Sequence, residues 1–222
     1  MEEGKHSIRY QWVDYDQISP YLIRAVVAAE DADFMHHHGL RWDAIKTAAE
    51  RNLLSDKRAP GGSTLTQQTV KNLFLSHDRS YFRKAQEIIL TPIVEAIWGK
   101  TRILEIYLNI AEFGNGIFGA QAAARYYFNK NAANLSRAEA IRLASILINP
   151  KKYQFVKSAP PINRRVNRIS HDLNLVQNSA EMKKKRPKPL SRTRFSLTAC
   201  FRFSNESSYM LRITPVVISS IS

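Results

Sequence analysis

The stretch Ser19-Pro20-Tyr21-Leu22-Ile23-Arg24-Ala25-Val26-Val27-Ala28-Ala29-Glu30-Asp31 decides the class of this chain. A serine before a proline marks a helix start. The hydroxyl can accept from an unpaired N–H of the first turn, and proline at the first helical position has no N–H to leave unpaired. The run behind it is apolar and reads as a helix. It ends on two adjacent carboxylates.

The same signals recur outward from it. Trp42 to Leu54 carries Ile45, Ala48, Ala49 and Leu53 at helical spacing. Gly61-Gly62 is a breaker, and Thr64 with Gln67 resembles a capping box opening a helix to about Leu75. Ser80 to Trp98 is amphipathic but contains Pro92, which predicts a kink or break near Thr91. Lys100 to Glu112 puts Ile103, Leu104, Tyr107 and Leu108 on one face. Phe118 to Phe128 is alanine-rich, and a last helix opens at Ser136 with Glu139 and closes before Asn149-Pro150. Strand signals are confined to Ser7–Asp14 and Ile213–Ile221. The fold class expected is mainly α.

Composition narrows the function. Of 222 residues, 44% are hydrophobic and 23% charged, which excludes wholesale disorder and collagen-like repeats. The single cysteine, Cys200, excludes an intrachain disulfide framework and a cysteine-based zinc cluster. A net charge of +14 suits an anionic partner: nucleic acid, phospholipid headgroups or a phosphorylated substrate. The charge is uneven, with 12 Lys/Arg against 3 Asp/Glu in residues 164–222. That region includes Lys183-Lys184-Lys185-Arg186-Pro187-Lys188-Pro189 and loses helical periodicity, so residues 1–168 are expected to be the domain and 169–222 a basic tail. The tail has no RNP, helix-turn-helix or zinc-finger pattern, so nucleic acid is not the expected partner. No run of 18 apolar residues and no signal peptide are visible, so a membrane anchor is expected to be absent.

Several clusters can carry chemistry. Glu30-Asp31 lies ahead of Phe34, His37 and Gly39, where a partly desolvated glutamate can act as a general base; a solvated acidic helix end is the plainer reading. His36-His37-His38 lacks metal-ligand spacing, and no metal site is expected there. Gly61-Gly62-Ser63-Thr64-Leu65-Thr66-Gln67-Gln68-Thr69-Val70-Lys71 brings hydroxyls, amides and free N–H groups to a helix start, which favours an anion, with Lys71 two turns on. It is not a Walker loop. Arg83 and Glu87 share a helix face, either as a surface ion pair or as a phosphate cation beside a second carboxylate. Two carboxylates from different helices suit glycosyl chemistry. Gly116-Ile117-Phe118-Gly119 with Ala122-Ala123-Ala124 reads as close helix packing.

In order, Glu30-Asp31-x-x-Phe34-x-x-His37-x-Gly39, Gly61 to Gln68, Arg83-Lys84-x-x-Glu87, Ile103-Leu104-Glu105-x-Tyr107-Leu108-Asn109 and Gly116-x-x-Gly119-x-x-x-Ala123-Ala124-x-x-Tyr127-Phe128 resemble the five motifs of the bacterial peptidoglycan glycosyltransferases. The resemblance is to the monofunctional biosynthetic type, whose domain also opens the bifunctional penicillin-binding proteins. It covers roughly 160 residues and fades after Arg168. It implies a lysozyme-like, mainly α fold with a small membrane-facing jaw subdomain. The implied activity polymerises lipid II into β-1,4-linked strands, with inversion at the MurNAc anomeric carbon and loss of undecaprenyl pyrophosphate. By position, Glu30 becomes the general base and Glu87 the second carboxylate, near the pyrophosphate; no cofactor is required, and a divalent cation (Mg or Mn) beside Glu87 is left open. Lys71 and Arg83 become the cations for the leaving pyrophosphate, and Ser63, Thr64 and Gln68 become substrate hydrogen-bonding groups. The implied partners are lipid II, the lipid-linked strand, an anionic membrane surface and other cell-wall synthases. The implied place is the outer, periplasmic face of the cytoplasmic membrane. A lysozyme-like glycan-cleaving enzyme and a catalytically incompetent membrane-binding fragment are the alternatives. No Ser-x-x-Lys transpeptidase motif is present, so crosslinking is not expected.

Overall fold

The computed structural model describes residues 7–43, 46–47, 62–75, 80–154 and 159–173. A short strand β1 (Arg9–Tyr10) and a 3-10 turn at Tyr15–Gln17 lead into helix α1 (Pro20–Glu30). Then come α2 (Leu65–Phe74), α3 (Tyr81–Ile110), the strands β2 (Glu112–Gly114) and β3 (Ile117–Phe118), and α4 (Ala120–Phe128). A 3-10 turn at Ala132–Asn134, α5 (Arg137–Ile146), α6 (Pro150–Tyr153) and α7 (Pro160–Asp172) complete the described chain. The fold is mainly α, as the patterning predicts.

α1 is the central helix. Leu22, Ala25, Val26 and Val27 are fully buried, and it packs on α5 and α7. Its start follows the sequence rule: the Ser19 hydroxyl accepts from the Tyr21 N–H at 3.3 Å and donates to the Leu135 carbonyl at 2.9 Å. The helix N-terminus is thereby tied to the turn before α5. Thr64/Gln67 and Ser136/Glu139 both close as reciprocal capping boxes on α2 and α5.

The break in α3 falls between the two helices read over 80–98 and 100–112, and the kink predicted near Thr91 does not form. The helix runs through Pro92, and the non-helical dihedrals fall at Gly99, φ 67 and ψ 170. Proline removes only one helical hydrogen bond. Glycine alone takes positive φ without steric cost, so the chain turns there. α3 is therefore two helices end to end. The first half exposes Phe82, Ile89, Ile93 and Ile97, while the second buries Ile103, Leu104 and Leu108.

The strand prediction also needs correction. The Ser7–Asp14 segment contributes only Arg9–Tyr10, pairing parallel to β3 through Arg9↔Ile117 and Tyr10↔Phe118. β2 pairs antiparallel to β3 with an irregularity between Glu112 and Gly114, giving the order β1-β3-β2. The helices predicted over 100–112 and 118–128 are shortened to make room for this hairpin. Gly116 serves the hairpin, while Gly119, at the start of α4, makes the close approach to α3 that the run predicts. Gly116 takes φ +73 in its turn. Gly119 takes φ +85, and a Cβ there would lie 2.7 Å from the Asn109 carbonyl oxygen. Gly119→Ala is expected to cost about 3 kcal/mol through backbone strain and this clash, read as a lower urea midpoint; an unchanged midpoint would refute the close approach. The segments Ile213–Ile221 and most of Trp42–Leu54 lie outside the described residues, as do positions 174–222.

The chain before α1 is docked by α3. The Asn109 side-chain amide accepts from the Val13 N–H and donates to the Val13 carbonyl, both at 2.8 Å. Glu105 accepts from the Tyr15 N–H at 2.9 Å. Two polar residues of one helical motif are thus spent on holding an extended segment.

Candidate active site

Glu30 is the last residue of α1, where the helix delivers it to the boundary between core and solvent. Both carboxylate oxygens are engaged. Oε2 accepts from the Gln68 Nε2 amide of α2 at 3.0 Å. Oε1 pairs with the Arg165 guanidinium of α7, which also donates to the Ala29 carbonyl at 3.3 Å. The Glu30 and Arg165 side chains are 15% and 11% exposed, so the pair is largely desolvated. Burial pulls Arg165 below its ordinary range, and the charge of Glu30 opposes that shift.

The amide of Gln68 has its orientation set from behind. The Tyr107 phenol, from the second half of α3, donates to Gln68 Oε1 at 3.3 Å. Burial lifts the Tyr107 phenol well above its ordinary range, and the Glu30 charge adds to this. Tyr107 therefore remains a donor at any working pH, and Gln68 must turn its NH₂ toward Glu30.

The second carboxylate, Glu87, is buried in the first half of α3. Its Oε2 pairs with Arg83 at 3.2 Å and its Oε1 with Lys84. Lys71 of α2 lies within electrostatic reach of both carboxylates. Burial lowers its pKa first, Glu87 raises it, Arg83 and Lys84 lower it, and Glu30 raises it. Among the described residues Lys71 has no ion-pair partner within bonding distance. Gln68 and Lys71 are three residues apart and share the partly open face of α2, while Leu65, Thr66, Gln67, Thr69 and Val70 are buried.

The glycine–hydroxyl run divides. Ser63 is exposed beside Gly62 at the mouth of α2. Thr64 is buried, and its hydroxyl donates to the Gly39 carbonyl at 2.6 Å while accepting from the Gln67 N–H at 3.1 Å. The structure gives Thr64 to the cap rather than to the cleft. Asp31 also works inside the protein: Oδ2 accepts from the Leu65 N–H at 3.0 Å, and the carboxylate receives His37 Nε2 at 2.9 Å. His37 Nδ1 accepts from the Gly39 N–H at 3.1 Å, which fixes the Nε2–H tautomer.

The arrangement places a carboxylate held by an amide and a guanidinium, and an electropositive cluster around a second carboxylate, both within electrostatic reach of Lys71. A general base facing a cradle for a polyanion is what it can provide chemically. A sequence model of the Transglycosylase family matches residues 1–174. The chain belongs to the transglycosylase family. It is 56% identical over 147 residues to a biosynthetic peptidoglycan transglycosylase of Azoarcus sp. (strain BH72), covering 66% of this chain and 64% of that protein. The protein of the same description from Aromatoleum aromaticum is 53% identical over the same share of each chain. That of Bordetella pertussis is 48% identical over 174 residues, 77% of this chain and 72% of that one. The chain thus spans a little under two thirds of the length of the first two relatives.

Within this transglycosylase domain, two residues that set the surroundings of Glu30 escape sequence reasoning. Arg165 is 135 positions from Glu30 and carries no local signal. Tyr107 reads as one more core residue of an apolar face. A divalent cation beside Glu87 does not fit the donors present. Both Glu87 oxygens already face cations, Lys71 adds a third charge, and no group of three His, Cys, Asp or Glu residues suited to a metal exists among the described residues.

Proposed function

We propose that this chain is a peptidoglycan glycosyltransferase that polymerises lipid II, working at the outer face of the bacterial cytoplasmic membrane. The supporting observation is that Lys71, on the partly open face of α2 beside the Gln68 that holds Glu30, lies within electrostatic reach of both Glu30 and Glu87. In this reading Glu30 accepts the proton of the acceptor sugar hydroxyl as its oxygen attacks the donor anomeric carbon. The bond to the pyrophosphate breaks, and the stereochemistry inverts. Lys71 and Arg83 take up the charge that grows on the leaving pyrophosphate, and Arg83 offers a forked donor suited to phosphate. Gln68 holds the base in line, Ser63 is placed to meet a phosphate or sugar oxygen, and Glu87 keeps the cations gathered. The test is strand formation from purified lipid II in detergent or liposomes. Polymer supports the reading. Hydrolysis of preformed glycan without polymer would instead favour the glycan-cleaving alternative.

The exposed face of α3 supports the membrane setting. Phe82, Ala85, Ile89, Pro92, Ile93, Ala96 and Ile97 leave it without a charge across four turns, and Phe82, Ile89 and Ile97 are each more than 60% exposed. Isolated surface apolar residues need no explanation, but a continuous stripe does. No helix among the described residues is long and apolar enough to cross a membrane, so this stripe is read as lying in the interface. Ile93→Glu/Ile97→Glu is expected to reduce sedimentation with anionic vesicles at least about tenfold, because two side chains worth about 1.5–3 kcal/mol each on burial are lost. Sedimentation equal to the parent would remove the stripe from the membrane contact.

A further inference from the structure

The two halves of α3 serve different carboxylates. The first half carries Glu87 with Arg83 and Lys84, and the second carries Tyr107, which reaches Glu30 through Gln68. Gly99 lies between them in a conformation only glycine takes freely, with open space where a Cβ would be. A break of this kind leaves the angle between the halves to be set by something else.

A buried polar network spans the break. Glu95, one turn before Gly99, pairs with Lys100, the residue after it. The other Glu95 oxygen accepts from the Thr66 hydroxyl of α2 at 2.6 Å. Lys100 also donates to the His37 carbonyl at 2.6 Å, and its ammonium sits 4.3 Å from the centre of the Phe34 ring. His37 is held by Asp31, the neighbour of Glu30, and Asp31 holds the start of α2. The loop rests on the helix so closely that a Cβ at Gly39 would be 2.9 Å from Thr91 Cγ2. One connected set of bonds thus joins the Glu87 half of α3, its Tyr107 half, the helix bearing Gln68 and Lys71, and the loop leaving Glu30.

We propose that Lys100, braced by Glu95, is a positioning residue that fixes the placement of Glu87 relative to Glu30. It rests on the reading of those two as the working carboxylates. Lys100 is committed to Glu95, His37 and Phe34, so it acts through the frame and not on the substrate. Its burial lowers its pKa, with the Glu95 hydrogen bond opposing, as expected for a structural ammonium that needs its partner. Misplacing a reacting group by about 1 Å can cost about a hundredfold in rate.

The decisive variant is Lys100→Met/Glu95→Met in the full chain. Losing one partner alone strands a buried charge and can unfold the protein, whereas replacing both with apolar residues is often neutral in stability. With a thermal midpoint near that of the parent, kcat for lipid II polymerisation is expected to fall about ten- to a hundredfold while KM stays within about twofold. In a Cys200→Ser background, spin labels at Gln86→Cys and Asn167→Cys are expected to give a broader distance distribution in the double variant. A folded double variant with parental kcat and an unchanged distribution would overturn the proposal. Turnover by Glu30→Gln at more than about a tenth of the parental rate would instead overturn the carboxylate assignment on which it rests.

Discussion

Glu30→Gln is expected to abolish strand formation, lowering kcat by about 10²–10⁴-fold, the range lost with a general base. The substitution also has a structural consequence that must be separated from the chemical one. Glu30 is the counter-charge of Arg165, and both side chains are largely buried. Removing one member of such a pair leaves a desolvated charge and costs about 3–5 kcal/mol when burial is complete, less at this residual exposure. The single variant should therefore lose thermal stability as well as turnover. Glu30→Gln/Arg165→Met removes the stranded charge, and its thermal midpoint is expected to recover most of the loss while polymerisation remains absent. That split assigns the rate effect to the carboxylate. Polymer from Glu30→Gln at more than about a tenth of the parental rate would end the general-base role, since even a weak base contributes more than that.

What the sequence made legible follows from the range of each rule. Caps are local: Ser19-Pro20, Thr64 with Gln67 and Ser136 with Glu139 each need only a few residues, and all three form as read. The α3 break at Gly99 was legible as the boundary between the helices read over 80–98 and 100–112, and only the kink near Thr91 was misread. Pro92 is the louder residue, yet a missing hydrogen bond in a long helix is survivable, while φ 67 at Gly99 is a full change of direction. The β2–β3 hairpin was masked by the helical patterns on either side of it. The site divides in the same way. Glu30, Gln68, Lys71, Arg83 and Glu87 stood out as clustered polar residues on helical faces; in the fold Gln68 bonds Glu30, Arg83 pairs with Glu87, and Lys71 lies within electrostatic reach of both carboxylates. Thr64 carried two readings, cap and substrate contact, and its buried hydroxyl is taken by the cap. Arg165 could not be found, because the proximity of α7 to the end of α1 is a product of tertiary packing and leaves no trace in spacing.

Lys71→Met is expected to lower kcat by about 10²–10³-fold, the loss typical of removing one preorganised charge-stabilising group, while raising thermal stability. The two effects have one cause. Burial lowers the Lys71 pKa from 10.5 more than Glu87 and Glu30 restore it. Between the lowered folded value and 10.5, the unfolded chain binds more protons than the folded one, so this lysine's contribution makes stability rise with pH through that window. Below the window the protonated group is a constant burden on the fold; in the proposed function it is kept because a partly desolvated ammonium is an effective counter-ion for a pyrophosphate. Methionine keeps most of the stem and removes the burden, so the thermal midpoint at pH 7 should rise, with the gain shrinking toward alkaline pH. The same shift predicts that parental kcat declines at a lower pH than an ordinary lysine would give. Lys71→Arg retains a charge throughout and should move that alkaline limb upward, at reduced kcat because a planar fork replaces a point charge. A lower thermal midpoint for Lys71→Met, or an alkaline limb unmoved by Lys71→Arg, would show that the ammonium is held by the fold rather than held ready for the leaving group.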